Sequence, residues 1–367
     1  MYLAELSLVN FKNYTEFSGD FSPRVNCFVG SNGSGKTNLL DAIHYMAFCK
    51  SYFNSIDSQN IHNNEGFLVI QGKFIHENTT DAIYCGIKRG QKKVFKRNNK
   101  EYAKLSEHIG LFPLVMVTPN DSELIWGTAE VRRRFIDTII SQYDKSYLES
   151  LVSYASALKQ RNALLKQFAK NHSFDNNLLT VYDEQLALFG TTVINKRKEF
   201  LKSFIPIFNE YYAIICGEAE DVSLDYTSSI GNRDFKTALL ATIAKDKALE
   251  YTSVGPHRDD LHFLINAFPV KKFASQGQQK SYLLALKLAQ FSYINKKKGI
   301  KPILLLDDVY DKLDAFRFGK LMELIRKEEF GQVFITDTHE DRMRVLFEGY
   351  EEETKFFNVD KAVVKEI

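Results

Sequence analysis

Residues 30–37 read Gly30-Ser31-Asn32-Gly33-Ser34-Gly35-Lys36-Thr37 and fit the pattern G-x-x-x-x-G-K-S/T at every fixed position. Each part has a physical task. Glycines let the backbone turn tightly and aim N–H groups at phosphate oxygens. A helix that starts at the lysine presents its positive N-terminal end to the anion. Lys36 can reach the β and γ phosphates, and the Thr37 hydroxyl can hold Mg²⁺. The flanks fit as well: VNCFV (25–29) reads as a strand, and NLLDAIHY (38–45) reads as a helix. Strand, glycine loop and helix place the chain among α/β proteins with ATP and Mg²⁺ as the expected cofactors.

Outward from the loop, Leu3, Leu6, Leu8 and Phe11, then Phe17, Phe21, Val25, Cys27 and Phe28, read as strands. FLVIQGKF, AIYCGIKR and KVFKRNNK (67–100) alternate as a second sheet, and LFPLVMVTP (111–119) reads as a buried strand. From about residue 121 glycine nearly vanishes and apolar residues recur three and four apart, the spacing of a long helical hairpin or small bundle. Strand signals return in VSLDYT and DLHFLI. A helix (QKSYLLALKLAQFSYINKKK), the strand PILLLDD, another helix and the strand QVFITDT follow. The expected organisation is an α/β ATPase domain made from both chain ends, residues 1–120 and 221–367, with a helical lobe at 121–220 inserted between them.

Two further stretches carry chemistry. ILLLDD (303–308) is an apolar strand that delivers Asp307 at its C-terminal edge, where a carboxylate can stand near Mg²⁺. Asp308 would face the other side and position the attacking water. Phe273-Ala274-Ser275-Gln276-Gly277-Gln278-Gln279-Lys280 opens a helix with small and polar residues, a second anion-binding end or a plain helix cap. Two such loops in one chain suit two subunits that share two nucleotides.

Composition narrows the class. Hydrophobic residues at 44% and charged residues at 26% exclude a disordered chain or a fibre, and 367 residues give room for about two domains. Lys+Arg is 48 against 46 Asp+Glu, so a net charge of +2 leaves nucleic-acid binding to local patches. Cys27, Cys49, Cys85 and Cys216 lack metal or redox spacing and fit reduced thiols. The opening MYLAELSLVNFKNY lacks the basic start and apolar run of a signal peptide, and no stretch has 18 apolar residues. The expectation is a cytoplasmic protein without a membrane span.

The order of these features resembles the ABC-type ATPases of the SMC class, and within that class the RecF family of bacterial replication and recombination repair. The resemblance runs through L-x-L-x-N-F-K-N-Y (6–14), the loop and its helix (30–43), and Pro119, Asp121 and Leu124. It continues through Arg132-Arg133-Arg134-Phe135-Ile136-Asp137, Gly255-Pro256-His257-Arg258-Asp259-Asp260-Leu261 and SQGQQK (275–280). It implies a P-loop ABC-type ATPase head with an inserted helical lobe. Ser275, Gly277 and Gln278 would form the signature that meets the γ-phosphate of the partner subunit. Asp307 would be the Walker B acid, and Asp308 would stand where many relatives carry a catalytic Glu. Leu313-Asp314 would be the D-loop that links sites across the dimer, and Lys12 and Asn13 would lie near the nucleotide. His339 follows TDT, where some relatives carry a switch histidine. Ala274 and Gln276 depart from the general signature, and Asp308 replaces Glu, which implies a weak, DNA-dependent ATPase that works as a switch. The implied partners are double-stranded and gapped DNA, a second copy in an ATP-dependent homodimer, and RecO and RecR; the implied setting is DNA damage repair and the SOS response.

Candidate DNA contacts are Lys92, Lys93 and Lys96 on a strand pair, Arg132, Arg133 and Arg134 at the head of the helical lobe, and Lys296 to Lys298. The three arginines read equally as partners of buried acids such as Asp137. A transporter ATPase subunit, a small-molecule kinase and an SMC-like structural ATPase are the competing functions. The signature disfavours the first two. An insertion of roughly one hundred residues without sustained heptads disfavours the third.

Overall fold

The computed structural model describes residues 1–77, 79–217, 220–308, 315–326 and 330–367. The chain divides into two compact units. The first comprises Met1–Asp121, Ile214–Gly217 and Lys280–Ile367, and the second Ser122–Ala213 and Glu218–Gln279. Residues 221–279, expected in the ATPase domain, therefore lie in the second unit. Their strands pair with one another and with neither of the two six-stranded sheets.

The first unit opens with β1 (Tyr2–Phe11), β2 (Tyr14–Asp20), β3 (Val25–Val29) and α1 (Lys36–Phe48). It continues with β4 (Phe67–His76), β5 (Thr79–Lys88), β6 (Val94–Arg97), β7 (Lys100–Glu101) and β8 (Leu114–Val117). Six strands form an antiparallel sheet in the order β2-β1-β4-β5-β6-β7. Leu3 and Leu6 are an odd number of residues apart, yet both are buried, because the register of β1 against β4 shifts between Leu3 and Glu5. The buried faces of β1 and β4 share one apolar core with Leu39, Leu40, Ile43 and Met46 of α1.

The second unit holds α2 (Glu123–Trp126), α3 (Ala129–Ser141), α4 (Lys145–Lys170), α5 (Asn176–Cys216), β9 (Val222–Thr227), α6 (Phe235–Leu249), β10 (Asp260–Ile265), β11 (Phe268–Pro269) and α7 (Val270–Phe273). Asp144 and Asp234 cap α4 and α6 by accepting the N–H of Tyr147 and Thr237. A small sheet in the order β11-β10-β9 completes it. Tyr154, Leu186, Ile194, Phe235 and Leu239 form a core of this unit. Arg161, fully buried, is held by Asp183 at 2.6 Å and Asp246 at 2.7 Å.

The chain then runs through α8 (Gln276–Lys298), β12 (Ile303–Leu306), α9 (Ala315–Arg326), β13 (Val333–Asp337), α10 (Glu340–Leu346), β14 (Thr354–Asp360) and β15 (Val363–Glu366). The second large sheet has the order β15-β14-β3-β13-β12-β8; its pairings from β14 to β8 are parallel, and the edge strand β15 runs antiparallel to β14. β3, β8, β12 and β13 are buried at every residue, the signature of parallel strands covered on both faces. This sheet aligns the C-terminal ends of β3, β12 and β13, where ligands of open α/β sheets bind. Among the described residues no helix is long and apolar enough to cross a membrane.

Candidate nucleotide-binding site

The loop of residues 30–35 leaves β3 and enters α1. Gly30 has φ 152°, and a Cβ there would lie 2.1 Å from the Val359 carbonyl oxygen of β14. Gly35 has φ 121°, and its Cβ would lie 2.7 Å from Asn13 Nδ2 and 2.8 Å from the Tyr14 hydroxyl. Both positions therefore need glycine for backbone and for space. No side chain caps the N-terminus of α1, and its first turn has no acid, so the positive helix end is left for an anion. Lys36 is buried, and its Nζ donates to the carbonyls of Gly30 at 2.7 Å and Ser31 at 2.9 Å. Asn13 Nδ2 donates to the Ser34 carbonyl at 3.5 Å, and Asn13 Oδ1 accepts from Asn38 at 2.7 Å. Lys12 takes a left-handed backbone (φ 52°) in the β1–β2 turn, and its ammonium lies 2.6 Å from the Asp41 carboxylate on α1.

β12 carries Asp307 to the same place. Asp307 Oδ1 accepts from the Thr37 hydroxyl and from the Thr336 hydroxyl of β13, each at 2.9 Å. Burial lifts the Asp307 carboxyl from its ordinary value to about 6, against the downward pull of the Thr336 and Thr37 hydrogen bonds; the neighbouring Asp308 charge adds to the rise. Asp308 has φ 45°, and its backbone N–H donates to Thr336 Oγ1 at 2.9 Å. The Thr37 hydroxyl and the Asp307 carboxylate are the hard oxygen donors that suit Mg²⁺, which keeps several ligands from water and phosphate. Among the described residues no cluster of three or more His, Cys, Asp or Glu side chains offers another metal site. Asp314 lies outside the described residues.

The turn before α8 is a reciprocal cap. Ser275 Oγ accepts the Gln278 N–H at 3.2 Å, and Gln278 Oε1 accepts the Ser275 N–H at 2.6 Å. The Gln278 amide also donates to Glu220, which accepts from Tyr212 as well. Both sequence readings of this stretch thus meet: it is a helix cap, and it presents a helix N-terminus. Gly277 lies in the first turn of α8.

The RecF/RecN/SMC N-terminal domain model matches residues 2–363 of the chain. The chain belongs to the RecF family. The DNA replication and repair protein RecF of Flavobacterium johnsoniae is 51% identical over 359 residues, 98% of this chain and 100% of that protein. The RecF of Parabacteroides distasonis is 47% identical over 365 residues, 100% of this chain and 99% of that protein. Among solved structures, the recombination mediator protein RecF with ATP, in the RecFOR pathway, superposes with a TM-score of 0.90 at 29% identity, covering 100% of this chain and 97% of that one. An SMC head bound to the C-terminal winged-helix domain of ScpA matches with a TM-score of 0.58 at 17% identity, a likeness of fold alone. The expected P-loop ABC-type ATPase head with an inserted lobe is therefore the fold of the RecF-family chain. DNA replication and repair is the function that goes with it, and the transporter and structural readings are not favoured.

The basic patches of this RecF-family chain are less free than the sequence implied. Lys93 is bound to Asp57 at 2.8 Å and donates to the Cys49 carbonyl at 2.6 Å, so it braces the sheet instead of facing solvent. Lys92 is exposed, and Lys96 lies over the Tyr84 ring at 5.7 Å. Arg132 makes a two-pronged pair with Asp260 at 2.8 and 2.9 Å, and Arg133 donates to the Asp259 carbonyl at 2.6 Å. Arg134 is exposed and pairs with Glu130 one turn away. The suggested partner Asp137 instead holds Arg197 and Tyr147. His339 is exposed at the N-cap of α10, and its Nδ1 lies 2.7 Å from the Thr338 hydroxyl. Thr336 and Asp41 escaped the sequence reading. Thr336 sits inside QVFITDT, one residue before the acid of that strand, and a hydroxyl in an otherwise apolar buried strand was the available signal.

Proposed function

We propose that the chain is an ATP-switched, DNA-binding protein of replication and recombinational repair. ATP sits on residues 30–37 with Asn13 beside the loop, and two copies associate around two nucleotides. The observation that carries the reading is the convergence of Thr37, Asp307 and Thr336 beside an uncapped helix N-terminus. The ATP-bound relative supports it.

Lys36 would exchange its carbonyl partners at Gly30 and Ser31 for the β and γ phosphates, a charge-assisted contact. Lys12 would leave Asp41 for the nucleotide. Thr37 and Asp307 would hold Mg²⁺, which when bound neutralises phosphate charge. Asp308 orients the water that attacks the γ-phosphate. Its side chain is shorter than Glu, and hydrolysis is correspondingly slow and serves as a release switch. Ser275, Gly277 and Gln278 contact the γ-phosphate held by the second copy, and Asp314 links the two sites. Lys92, Lys96 and Arg134 supply contacts to double-stranded and gapped DNA; Lys93, Arg132 and Arg133 remain structural. RecO and RecR are the expected protein partners, in the cytoplasm.

Light scattering with ATP and Mg²⁺, with ADP, and without nucleotide tests the reading. ATP should double the mass, and ADP should leave it unchanged. An equal mass in all three conditions excludes the dimer.

A further inference from the structure

The signature turn is framed by exposed aromatic rings. Trp126, the single tryptophan of the chain, is 53% exposed at the end of α2, and Phe268 and Phe273 are 55% and 63% exposed. Phe273 directly precedes Ala274-Ser275, and its ring centre lies 5.0 Å from that of Phe268. The Trp126 indole N–H donates to Gln279 Oε1 at 3.1 Å, and Gln279 Nε2 donates to the Ala274 carbonyl at 3.0 Å. Lys271 crosses the indole, with Nζ 5.9 Å from the ring centre, and donates to the Trp126 carbonyl at 3.0 Å. Trp126 is thus tied through Gln279 to the first turn of α8, and Phe273 reaches the same turn through the chain itself.

Large aromatic side chains left in water around a polar turn mark a surface that is covered on association. Its chemistry selects the occupant. The turn offers hydroxyl and amide groups at the N-terminus of a 23-residue helix, with Lys271 and Lys272 beside it, so it complements a polyanion. Two lysines, one of them already held on Trp126, are too few to follow a nucleic-acid backbone. A single nucleotide triphosphate on a protein rim fits: charge at the centre, apolar contact around it. We infer that Trp126, Phe268 and Phe273 are the docking rim by which this chain seats on the nucleotide-loaded face of a second copy, excluding water from the phosphates that Ser275 meets. This rests on the ATP-dependent dimer proposed above and adds its anchors. Aromatic side chains that lose water on association carry a large share of the affinity of the interfaces they join.

The single tryptophan makes the test direct. The full-length protein is titrated with ATP and Mg²⁺ while mass is followed by light scattering and Trp126 by emission wavelength and acrylamide quenching. Emission should shift to the blue and quenching should fall in step with dimer formation. Phe273→Asp, at an exposed position that leaves the core intact, should bind ATP as the parent does. It should need roughly tenfold or more protein to associate. A dimer that forms with Trp126 still fully quenchable, or at parent concentration in Phe273→Asp, overturns the rim while leaving the dimer standing. ATP binding without any association removes both. Protection of Trp126 by DNA in the absence of nucleotide overturns the occupant in favour of nucleic acid.

Discussion

Asp307 and Asp308 are adjacent, yet the proposed function gives them separate tasks. Asp307 is buried between two threonine hydroxyls, and burial raises its carboxyl to about 6. A nearby cation would reverse that rise, which fits the Mg²⁺ ligand proposed above better than a proton carrier. Asp308 has a left-handed backbone, and its N–H donates to the Thr336 hydroxyl. Its replacement by Asn keeps size and removes the charge proposed to orient water. Asp308→Asn should therefore keep ATP and the dimer but lower turnover by about 10²-fold or more, the ordinary worth of a positioned base. Phosphate release measured alongside light scattering reads both. Turnover at the parent rate would remove Asp308 from the mechanism.

At the level of elements, α8 is tied into the first unit by a buried charge. Lys287 Nζ lies 2.6 Å from Asp121 and donates to the Met116 carbonyl of β8 at 2.8 Å. Asp121 also accepts the Thr118 N–H and the Tyr52 hydroxyl. Burial alone would lower the Lys287 ammonium, but Asp121 and Tyr52 outweigh it and the net shift is upward. Lys287→Met leaves a buried carboxylate without its cation and should cost about 3–5 kcal/mol, much of it recovered by Asp121→Asn in the same chain. Urea unfolding of the single and double variants measures this; a loss under about 1 kcal/mol in the single variant would show the pair to be dispensable. The example also marks what the sequence could reveal. β3, α1, β12 and the turn before α8 were legible, because loop chemistry and apolar runs are local. The fate of Arg132 was not, since its partner Asp260 lies 128 residues away. Nor was the membership of β9 and β10, because a strand's own residues do not name the sheet it joins. The strands β14 and β15 also went unread: the burial of TKFFNVD depends on β3, more than three hundred residues earlier.

For the whole molecule, a net charge of +2 leaves the proposed DNA binding to a few clustered cations, which the proposed dimer would repeat in its two copies. With Lys93, Arg132 and Arg133 engaged internally, Lys92 and Lys96 are the test of the strand-pair patch. Binding measured from about 50 to 200 mM salt should follow a linear logarithmic slope. Lys92→Ala with Lys96→Ala should flatten that slope by about 0.9 for each duplex phosphate left without its lysine, equally on unrelated base sequences. An unchanged slope would move the DNA site to Arg134 or to Lys296–Lys298. The architecture has a consequence in time as well. The phosphate loop is synthesised well before the strands that wall it. Its walls come much later in the chain: Val359 of β14 closes over Gly30, the Ala362 N–H bonds the Ser34 carbonyl at 2.8 Å, and β13 and β14 flank β3 on both sides. At about 5–20 residues per second, the loop waits roughly 15–60 s for these neighbours. A nascent chain that has the loop but not yet β13 and β14 carries the nucleotide motif without its walls, so the site is completed only once both ends of this stretch have been made.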